Sequence, residues 1–292
     1  MAVIGKGWRM RWVRQAPPAG LRRPWRPLQT GLFYGLTGLL LLASVFVFLW
    51  MLLTSLKQPR DVMVYPPVWL FWPTLQHYAE VLSKTPFLFQ LRNSAIVAAG
   101  AVALGLLLGL PAGYSIARYR QRRIALTVLV VRMMPTIVFM LPLFVLYKQL
   151  GLIDTHLGLV LSHLILVLPL TIWVMIGFFE DVPVALDDQA RIDGCSRWQA
   201  FRRVALPLSL PGVIVTTILC FITSWNNFIF VLMLGGSRTS TLPMAVFSFM
   251  GIEQLNFGGV AAAASLLSLP IILLTLFVQR WLVQGLTLGA VK

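Results

Sequence analysis

Six long apolar stretches, almost free of charge, dominate this sequence. They cover residues 31–53, 95–117, 124–147, 157–179, 207–234 and 261–279, and Arg132 is the one Asp, Glu, Lys or Arg inside them. A helix needs about 20 predominantly apolar residues to cross a bilayer core of roughly 30 Å. Strands of a membrane barrel would instead alternate over about 10 residues. The sequence therefore predicts an all-α integral membrane protein with six transmembrane helices.

The few charged residues are mostly basic, and their positions predict the orientation of the chain. The composition is 58% hydrophobic and 11% charged, with 24 Lys plus Arg against 9 Asp plus Glu. Seven basic residues precede the first span, four lie in 118–123, four in 191–203 and two follow the last span, against six on the other side. Basic loops stay in the cytoplasm, so both termini are predicted to be cytoplasmic. This topology explains most of the net charge of +15, and no aromatic-rich basic domain remains to bind nucleic acid.

The chain divides into a basic cytoplasmic tail, residues 1–29, and a membrane domain, residues 30–292. The tail has seven basic residues, no acidic residue and four prolines. Such a composition disfavours regular structure and favours a position near anionic lipid. The first span is about 23 residues long and lacks a small-residue cleavage site after it, so it is predicted to be a retained helix rather than a signal peptide.

Small residues and prolines predict how the spans pack and bend. Gly105, Gly109 and Gly113 recur every four residues in the second span, a ridge that lets another helix backbone come close. Prolines within the spans are expected to bend them: Pro111, Pro135, Pro142, Pro169 and Pro270.

The loop after the first span contains a short segment with helical periodicity, Thr74–Leu82. We expect an amphipathic helix at the membrane interface, with Trp69, Trp72 and Tyr78 at headgroup depth. A role in contacting an external partner and a role as a plain interfacial anchor both remain open.

The segment 180–206 differs from the other connections because it holds five of the nine acidic residues. Pro183 suits the first turn of a helix, and Asp193-Gly194 suits its end. Ser196 and Gln199 then have the spacing of a capping box. We therefore predict two short helices joined by a turn.

Apolar residues on this segment require an explanation, because a simple connector does not need them. Two interpretations remain open: they dock another protein, or they fold back on the chain's own helix ends. The residues concerned are Leu186, Ala190, Ile192, Trp198 and Phe201.

The stretch DDQARIDGCSRWQAFRRVALPLSLP resembles the EAA loop of permeases from ABC importers. Asp188, Gln189 and Ala190 stand at the Glu-Ala-Ala positions, Asp193 and Gly194 at the Asp-Gly, and Leu206 and Pro207 at the Leu-Pro. The stretch departs from the family pattern at three positions: Asp188 replaces Glu, Gln189 replaces Ala, and Cys195 stands where Ala is usual. From about residue 30 onward, MMPTIVFMLPLFVLYKQLGLIDTHLGL, SWNNF and QRWLVQGLTLGAVK are similar to the second, six-helix permease of carbohydrate importers. Asn227 in SWNNF stands where that branch often has Glu.

The resemblance implies a heteromeric sugar importer in a bacterial or archaeal plasma membrane. Its other parts would be a second homologous permease, two copies of a cytoplasmic ABC ATPase and an extracytoplasmic sugar-binding protein. The chain lacks a GxxxxGK[ST] loop for ATP phosphates, so no catalytic residue, metal or cofactor is assigned to it, and ATP and Mg²⁺ are expected on the ATPase. The residues expected to couple to that ATPase are Asp188, Ala190, Asp193, Gly194, Trp198, Phe201, Leu206 and Pro207.

Polar residues within the spans are candidates for the transport pathway. Arg132 either lines a polar pathway or a partner contact, or else snorkels or pairs structurally. Asn226 and Asn227 either bind sugar hydroxyls or join helices, and His163 is expected to be a packing residue. Cys195 and Cys220 are predicted to be two unpaired thiols.

Two other classes of function remain as alternatives. A membrane enzyme would use the carboxylates between Glu180 and Asp193, although catalytic pairs need burial or close apposition. A secondary carrier for another solute would need repeated halves or ionisable residues at the midplane, and Arg132 alone meets that description.

Overall fold

The computed structural model describes residues 26–250 and 256–288, and every regular element in that part of the chain is a helix. Most of the predicted basic tail, residues 1–25, lies outside the described residues. The first helix already begins at Arg26, four residues before the predicted boundary of the membrane domain.

The helices follow one another closely along the chain. In order they are α1 (Arg26–Leu56), α2 (Pro59–Val62), α3 (Gln76–Lys84), α4 (Phe87–Arg118), α5 (Arg122–Met133), α6 (Ile137–Leu150), α7 (His156–Glu180), α8 (Val184–Ile192), α9 (Arg197–Ala200), a π-helical turn (Phe201–Ala205), α10 (Leu206–Leu208), α11 (Leu210–Trp225), α12 (Ile229–Leu234), α13 (Leu242–Ser248) and α14 (Phe257–Leu288).

Four of these helices, α1, α4, α7 and α14, are long and apolar enough to cross a membrane. Two bent pairs raise the number of candidate spans in the described chain to six if each pair counts as one span: α5 with α6 bends by 89°, and 197–208 with α11 bends by 79°. The predicted first, second, fourth and sixth spans therefore each correspond to one continuous helix.

The third and fifth predicted spans are not continuous helices. Pro135 has no backbone N–H and disfavours helical geometry in the residue before it, and Met134 is extended with ψ 131°. The helix accordingly stops between α5 and α6. The fifth span is divided at Ser209, just before Pro211, and again after Asn226, so that 229–234 forms the separate helix α12.

Among the described residues, those up to Leu49 form one structural unit and those from Trp50 onward form another. In the first unit, the described side chains from Thr30 onward are exposed or half-buried, although nearly all of them are apolar. A helix that is apolar on every side requires lipid or protein around it. This part of α1 therefore has the surface of a membrane helix.

In the second unit, the glycine ridge of α4 packs directly on α7, as predicted. A Cβ atom on Gly109 would lie 2.6 Å from Thr171 Cγ2, and one on Gly113 would lie 3.3 Å from Met175 Cβ. A Cβ on Gly105 would overlap Val167. The three glycines thus allow the two backbones to approach more closely than larger residues would.

Buried polar side chains tie further helices to this pair. His163 on α7 is 2% exposed, and its Nδ1 lies 2.7 Å from Ser224 Oγ on α11. Trp225 Nε1 donates to Leu267 O on α14 at 3.1 Å. Hydrogen bonds between helices are favourable where no water competes for them, and His163 acts as a packing residue, as expected.

At the opposite end from segment 180–206, two polar side chains hold the loop between α12 and α13. Asp154 accepts hydrogen bonds from Thr239 N at 3.0 Å and from Thr239 Oγ1 at 2.8 Å. Asn93 is fully buried and donates through Nδ2 to Arg238 O at 3.1 Å and Ser240 O at 2.9 Å. These bonds fix residues 238–240 to the second turn of α4 and to the loop just before α7.

The predicted amphipathic helix at Thr74–Leu82 is present as α3, shifted to Gln76–Lys84. Trp72 is 84% exposed, as an interfacial residue would be. Tyr78 differs from its predicted position at headgroup depth, because it packs against the core and its Oη lies 2.8 Å from Ser55 Oγ. His77 and Val81 are buried, so this helix is seated on the protein.

Gly109→Ala tests the contact between α4 and α7. The added methyl group meets Thr171, and overpacking of this kind costs about 1–3 kcal/mol. The matched control is Gly177→Ala on α7, where a Cβ has no neighbour within 4 Å and the loss of glycine is neutral or slightly stabilising. We expect a lower apparent Tm for Gly109→Ala alone in thermal unfolding of the detergent-purified protein; equal Tm values for the two variants would contradict the packing.

Candidate functional site

Segment 180–206 folds as the predicted pair of short helices. The first is α8, with Pro183 before it in extended geometry, and the second begins at Arg197 and continues through the π-helical turn. The turn between them is closed by backbone hydrogen bonds from Gly194 N to Arg191 O at 3.1 Å and from Cys195 N to Ala190 O at 2.9 Å. These bonds satisfy carbonyls that the end of a helix leaves free.

Two residues fix the shape of the turn. Gly194 has a φ of +90°, a conformation that costs other residues roughly 1–2 kcal/mol. Ser196 Oγ accepts from Gln199 N at 3.3 Å, while Gln199 Oε1 accepts from Ser196 N at 2.7 Å. The predicted capping box is therefore formed, and the segment has a defined angle between its two helices.

An aromatic cluster anchors the base of the segment in the protein. Phe201 is 4% exposed and its ring lies 5.0 Å from that of Tyr114 on α4 and 6.1 Å from that of Phe179 on α7. Ala205 is fully buried in the same cluster. The π-helical turn that ends the second short helix is therefore packed against the ends of α4 and α7.

A buried ion pair makes a second connection between the segment and α4. Asp187 and Arg118 have side chains that are only 5% and 10% exposed, and Arg118 Nε lies 2.6 Å from Asp187 Oδ2. Tyr114 Oη donates to the same oxygen at 2.6 Å. Arg118 Nη1 also donates to Val182 O at 3.3 Å. The hydrogen bond from Tyr114 to the charged carboxylate is of a kind that is shorter and stronger than a neutral one.

The apolar residues of the segment divide between its two faces. Ile192 is 84% exposed and Trp198 is 59% exposed. These two side chains give the outside of segment 180–206 an apolar surface. Ala190 and Phe201 are buried, which removes them from that surface. The fold-back interpretation therefore holds for Ala190 and Phe201, and docking of another protein stays a prediction for the exposed side chains.

The other residues expected to couple to the ATPase differ in their exposure. Asp188, Asp193 and Pro207 are exposed, whereas Leu206 is half-buried beside the aromatic cluster. Leu206 N donates to Phe201 O, the hydrogen bond that closes the π-helical turn.

The candidate pathway residues do not form one cluster in the described structure. Arg132 is exposed in the last turn of α5, and Asn226 is exposed at the end of α11. Asn227 Oδ1 accepts from Phe230 N at 3.1 Å, so the Asn227 side chain binds the first turn of α12. No hydrogen bond or ion pair among the described residues joins Arg132 to either asparagine. Within the same residues no group of three or more His, Cys, Asp or Glu side chains has the geometry of a metal site.

Sequence reasoning missed the pair between Asp187 and Arg118. One signal was present, because Asp187 lies three residues before Ala190 and such residues share a face of a helix. The identity of its partner was not available, since Arg118 is on a different span and nothing in the local pattern links the two.

Comparison with known proteins places the chain in a family. Residues 82–288 match the family described as "Binding-protein-dependent transport system inner membrane component". The chain belongs to this family, and it is therefore a multi-pass permease component of an importer in the inner membrane. Its members are transport subunits and not themselves enzymes.

Several named relatives match over most of their length. The chain is 35% identical to the probable ABC transporter permease protein y4oR of Sinorhizobium fredii, over 85% of this chain and 90% of the relative. It is 34% identical to the diacetylchitobiose uptake system permease protein DasC of Streptomyces coelicolor, over 87% and 94%. It is 31% identical to the trehalose/maltose transport system permease protein MalG of Thermococcus litoralis, again over 87% and 94%.

Solved structures show the same fold. A chain of a bacterial ABC transporter involved in the import of the polysaccharide alginate aligns with a TM-score of 0.73 at 20% identity, covering 90% of this chain and 99% of that one. A chain of the MetNI methionine ABC transporter aligns with a TM-score of 0.56 at 17% identity, covering 68% and 95%.

A double-variant cycle tests the buried ion pair. Arg118→Leu or Asp187→Leu alone leaves an uncompensated buried charge, and each is expected to destabilise the protein by about 3–5 kcal/mol. The double variant removes both charges and should recover most of that loss. Asp188→Leu changes the exposed neighbour and should have little effect. Thermal unfolding, with limited proteolysis of segment 180–206, measures the four variants; additive losses in the double variant would show that the two side chains do not interact.

Proposed function

We propose that this chain is the second permease subunit of an ATP-driven sugar importer, and that segment 180–206 receives the motion of a cytoplasmic ABC ATPase. The observation that carries the proposal is the division of the segment between a buried base and an exposed tip. Phe201 and Asp187 fasten the base to α4 and α7. Ile192 and Trp198 leave an apolar surface at the tip, as a docking site for another protein requires.

In this mechanism, the fixed shape of the segment converts movement of the ATPase into movement of the spans. The ATPase dimer closes on ATP, carries the tip with it and tilts the helices to which the base is attached. ATP and Mg²⁺ are bound by the ATPase, and this chain contributes no cofactor site. Gly194 permits the tight turn at the tip, and it also keeps that turn free of a side chain that would separate the partners.

The complex proposed here contains two related permease chains, two ATPase subunits and an extracytoplasmic binding protein. The family description supports the binding protein. The relatives named for diacetylchitobiose and for trehalose/maltose support a di- or oligosaccharide as the solute. Exposed polar residues such as Arg132 and Asn226 are proposed to face the pathway or the second permease.

The proposed topology has six spans, with each bent pair counted as one, and both termini in the cytoplasm. The distribution of basic residues supports it, because segments 118–123 and 191–203 each hold four arginines. Residues 1–29 are proposed to lie along anionic lipid on the same side, and 30–292 to form the permease domain.

Gly194→Asp should uncouple transport from ATP hydrolysis while the complex remains in the membrane. Gly151→Asp is a matched control, because Gly151 also has a positive φ, +67°, and also has no atom within 4 Å of a built Cβ, but it lies at the end of α6. In proteoliposomes with the ATPase and binding protein, labelled trehalose and diacetylchitobiose report uptake. We expect the ratio of uptake to ATP hydrolysed to fall at least tenfold for Gly194→Asp only. Wild-type coupling in that variant would contradict the proposed role of segment 180–206 in transmitting the motion of the ATPase.

Labelling of Cys195 tests the orientation. Cys195 is half-buried in the turn and Cys220 is buried, so an impermeant maleimide should modify Cys195 alone. We expect labelling in inside-out vesicles and none in intact cells, with Cys195→Ser as the control for background. Labelling of Cys195 from outside intact cells would place segment 180–206 on the opposite side of the membrane.

A further inference from the structure

A basic cleft of about 290 Å³ lies between the turn joining α4 to α5 and the end of α7. Arg118, Arg120 and Arg122 line it, and Glu180 is the one acidic residue that lines it. The turn is held by its backbone: Arg120 has a φ of +52°, and Gln121 N donates to Ile116 O at 3.0 Å. The backbone positions of Arg120 and Arg122 are therefore fixed by the fold of the turn.

Arg118 supplies an independent sign that an anion belongs in this cleft. Its side chain is nine-tenths buried, Nε is paired with Asp187 and Nη1 donates to Val182 O. Nη2 and Nε are buried without a hydrogen-bond partner among the described residues, and so is the neighbouring acceptor Asp187 Oδ1. Buried donors in proteins are nearly always satisfied; one carboxylate oxygen is left for these two nitrogens, so a further acceptor oxygen is expected beside Arg118.

Gln121 and a set of apolar side chains form the rest of the cleft. The apolar ones are Ile116, Ala117, Ala125, Ile176, Phe179 and Val184. On the proposed topology, the ends of α4 and α7 that line the cleft reach the membrane surface, where headgroups meet acyl chains. A freely soluble anion would gain nothing from such walls, whereas a phospholipid has a phosphate for the arginines and an apolar glycerol and acyl portion for the remainder.

We propose that this cleft binds the phosphate of an anionic phospholipid, with Arg120, Arg122 and Nη2 of Arg118 as its donors. The proposal rests on the proposed topology, which places these helix ends at the cytoplasmic leaflet, where anionic lipids are abundant. The lipid would join the α4–α5 turn to Arg118, the residue that also holds the coupling segment.

Lipid binding by the full-length chain in nanodiscs tests the site. The probe is spin-labelled phosphatidylglycerol in a phosphatidylcholine bilayer, with native mass spectrometry to count retained lipids. The variant Arg120→Gln/Arg122→Gln should lose affinity about tenfold or more, a scale consistent with two basic residues at an anionic surface. The control Arg123→Gln/Arg203→Gln makes the same change in charge at exposed residues outside the cleft and should bind nearly as the wild type does.

Two further measurements distinguish the proposed lipid site from general surface charge and from a free-phosphate site. Arg120→Lys/Arg122→Lys keeps the charge and should retain most of the binding, and size-exclusion profiles check that each variant is folded. Equal losses in the cleft and control variants would overturn the proposal, because only general surface charge would then matter. Displacement of the labelled lipid by millimolar inorganic phosphate would also overturn it, in favour of a free-phosphate site. These measurements need neither ATP nor sugar, so their failure is distinguishable from failure of the transport mechanism.

Discussion

The attachment of segment 180–206 depends on one buried ion pair, between Asp187 on α8 and Arg118 on α4. A connector between two spans is covalently bound only to those spans, here α7 and α11. The pair adds a third helix, because Arg118 belongs to a span that is distant in sequence. Tyr114 strengthens this attachment by donating to the same carboxylate and by stacking near Phe201. Desolvating two charges is expensive, so a hydrogen-bonded network and a closely packed base are both needed to retain them.

The contact between α4 and α7 gives that attachment a rigid base. Small residues bring the two backbones together along the ridge. At the opposite end, Asn93 in the second turn of α4 and Asp154 just before α7 bind the same loop. In the absence of a hydrophobic driving force between helices in lipid, close packing and hydrogen bonds must supply the stability. Both are present at this contact, from one end of the helix pair to the other.

The sequence predicted most features that depend on local chemistry. Apolar length identified the spans, four-residue spacing identified the glycine ridge, and Asp193-Gly194 with Ser196 and Gln199 identified the turn and its capping box. The bend predicted at Pro135 is present. The third span was nevertheless predicted as one helix, because hydropathy does not register the missing N–H that interrupts it. The buried pair of Arg118 with Asp187 could not be predicted, since it depends on which helix ends the fold brings together. The packing of Tyr78 against the core is a second contact that depends on the fold and could not be predicted from the local sequence.

The two bends in the third and fifth predicted spans are the positions where the helices can change their angle. If the tip of segment 180–206 is displaced, α4 and α7 are too closely joined to slide independently, and the segment is fastened to both of them. The 79° bend at Ser209 and the 89° bend at Pro135 interrupt the helical hydrogen bonds that would otherwise carry the strain. Hinges form at a few positions that can absorb changes in φ and ψ. On the proposed mechanism, α4, α7 and the coupling segment therefore move as one body, with α6 and α11 changing their angle to it at these two breaks.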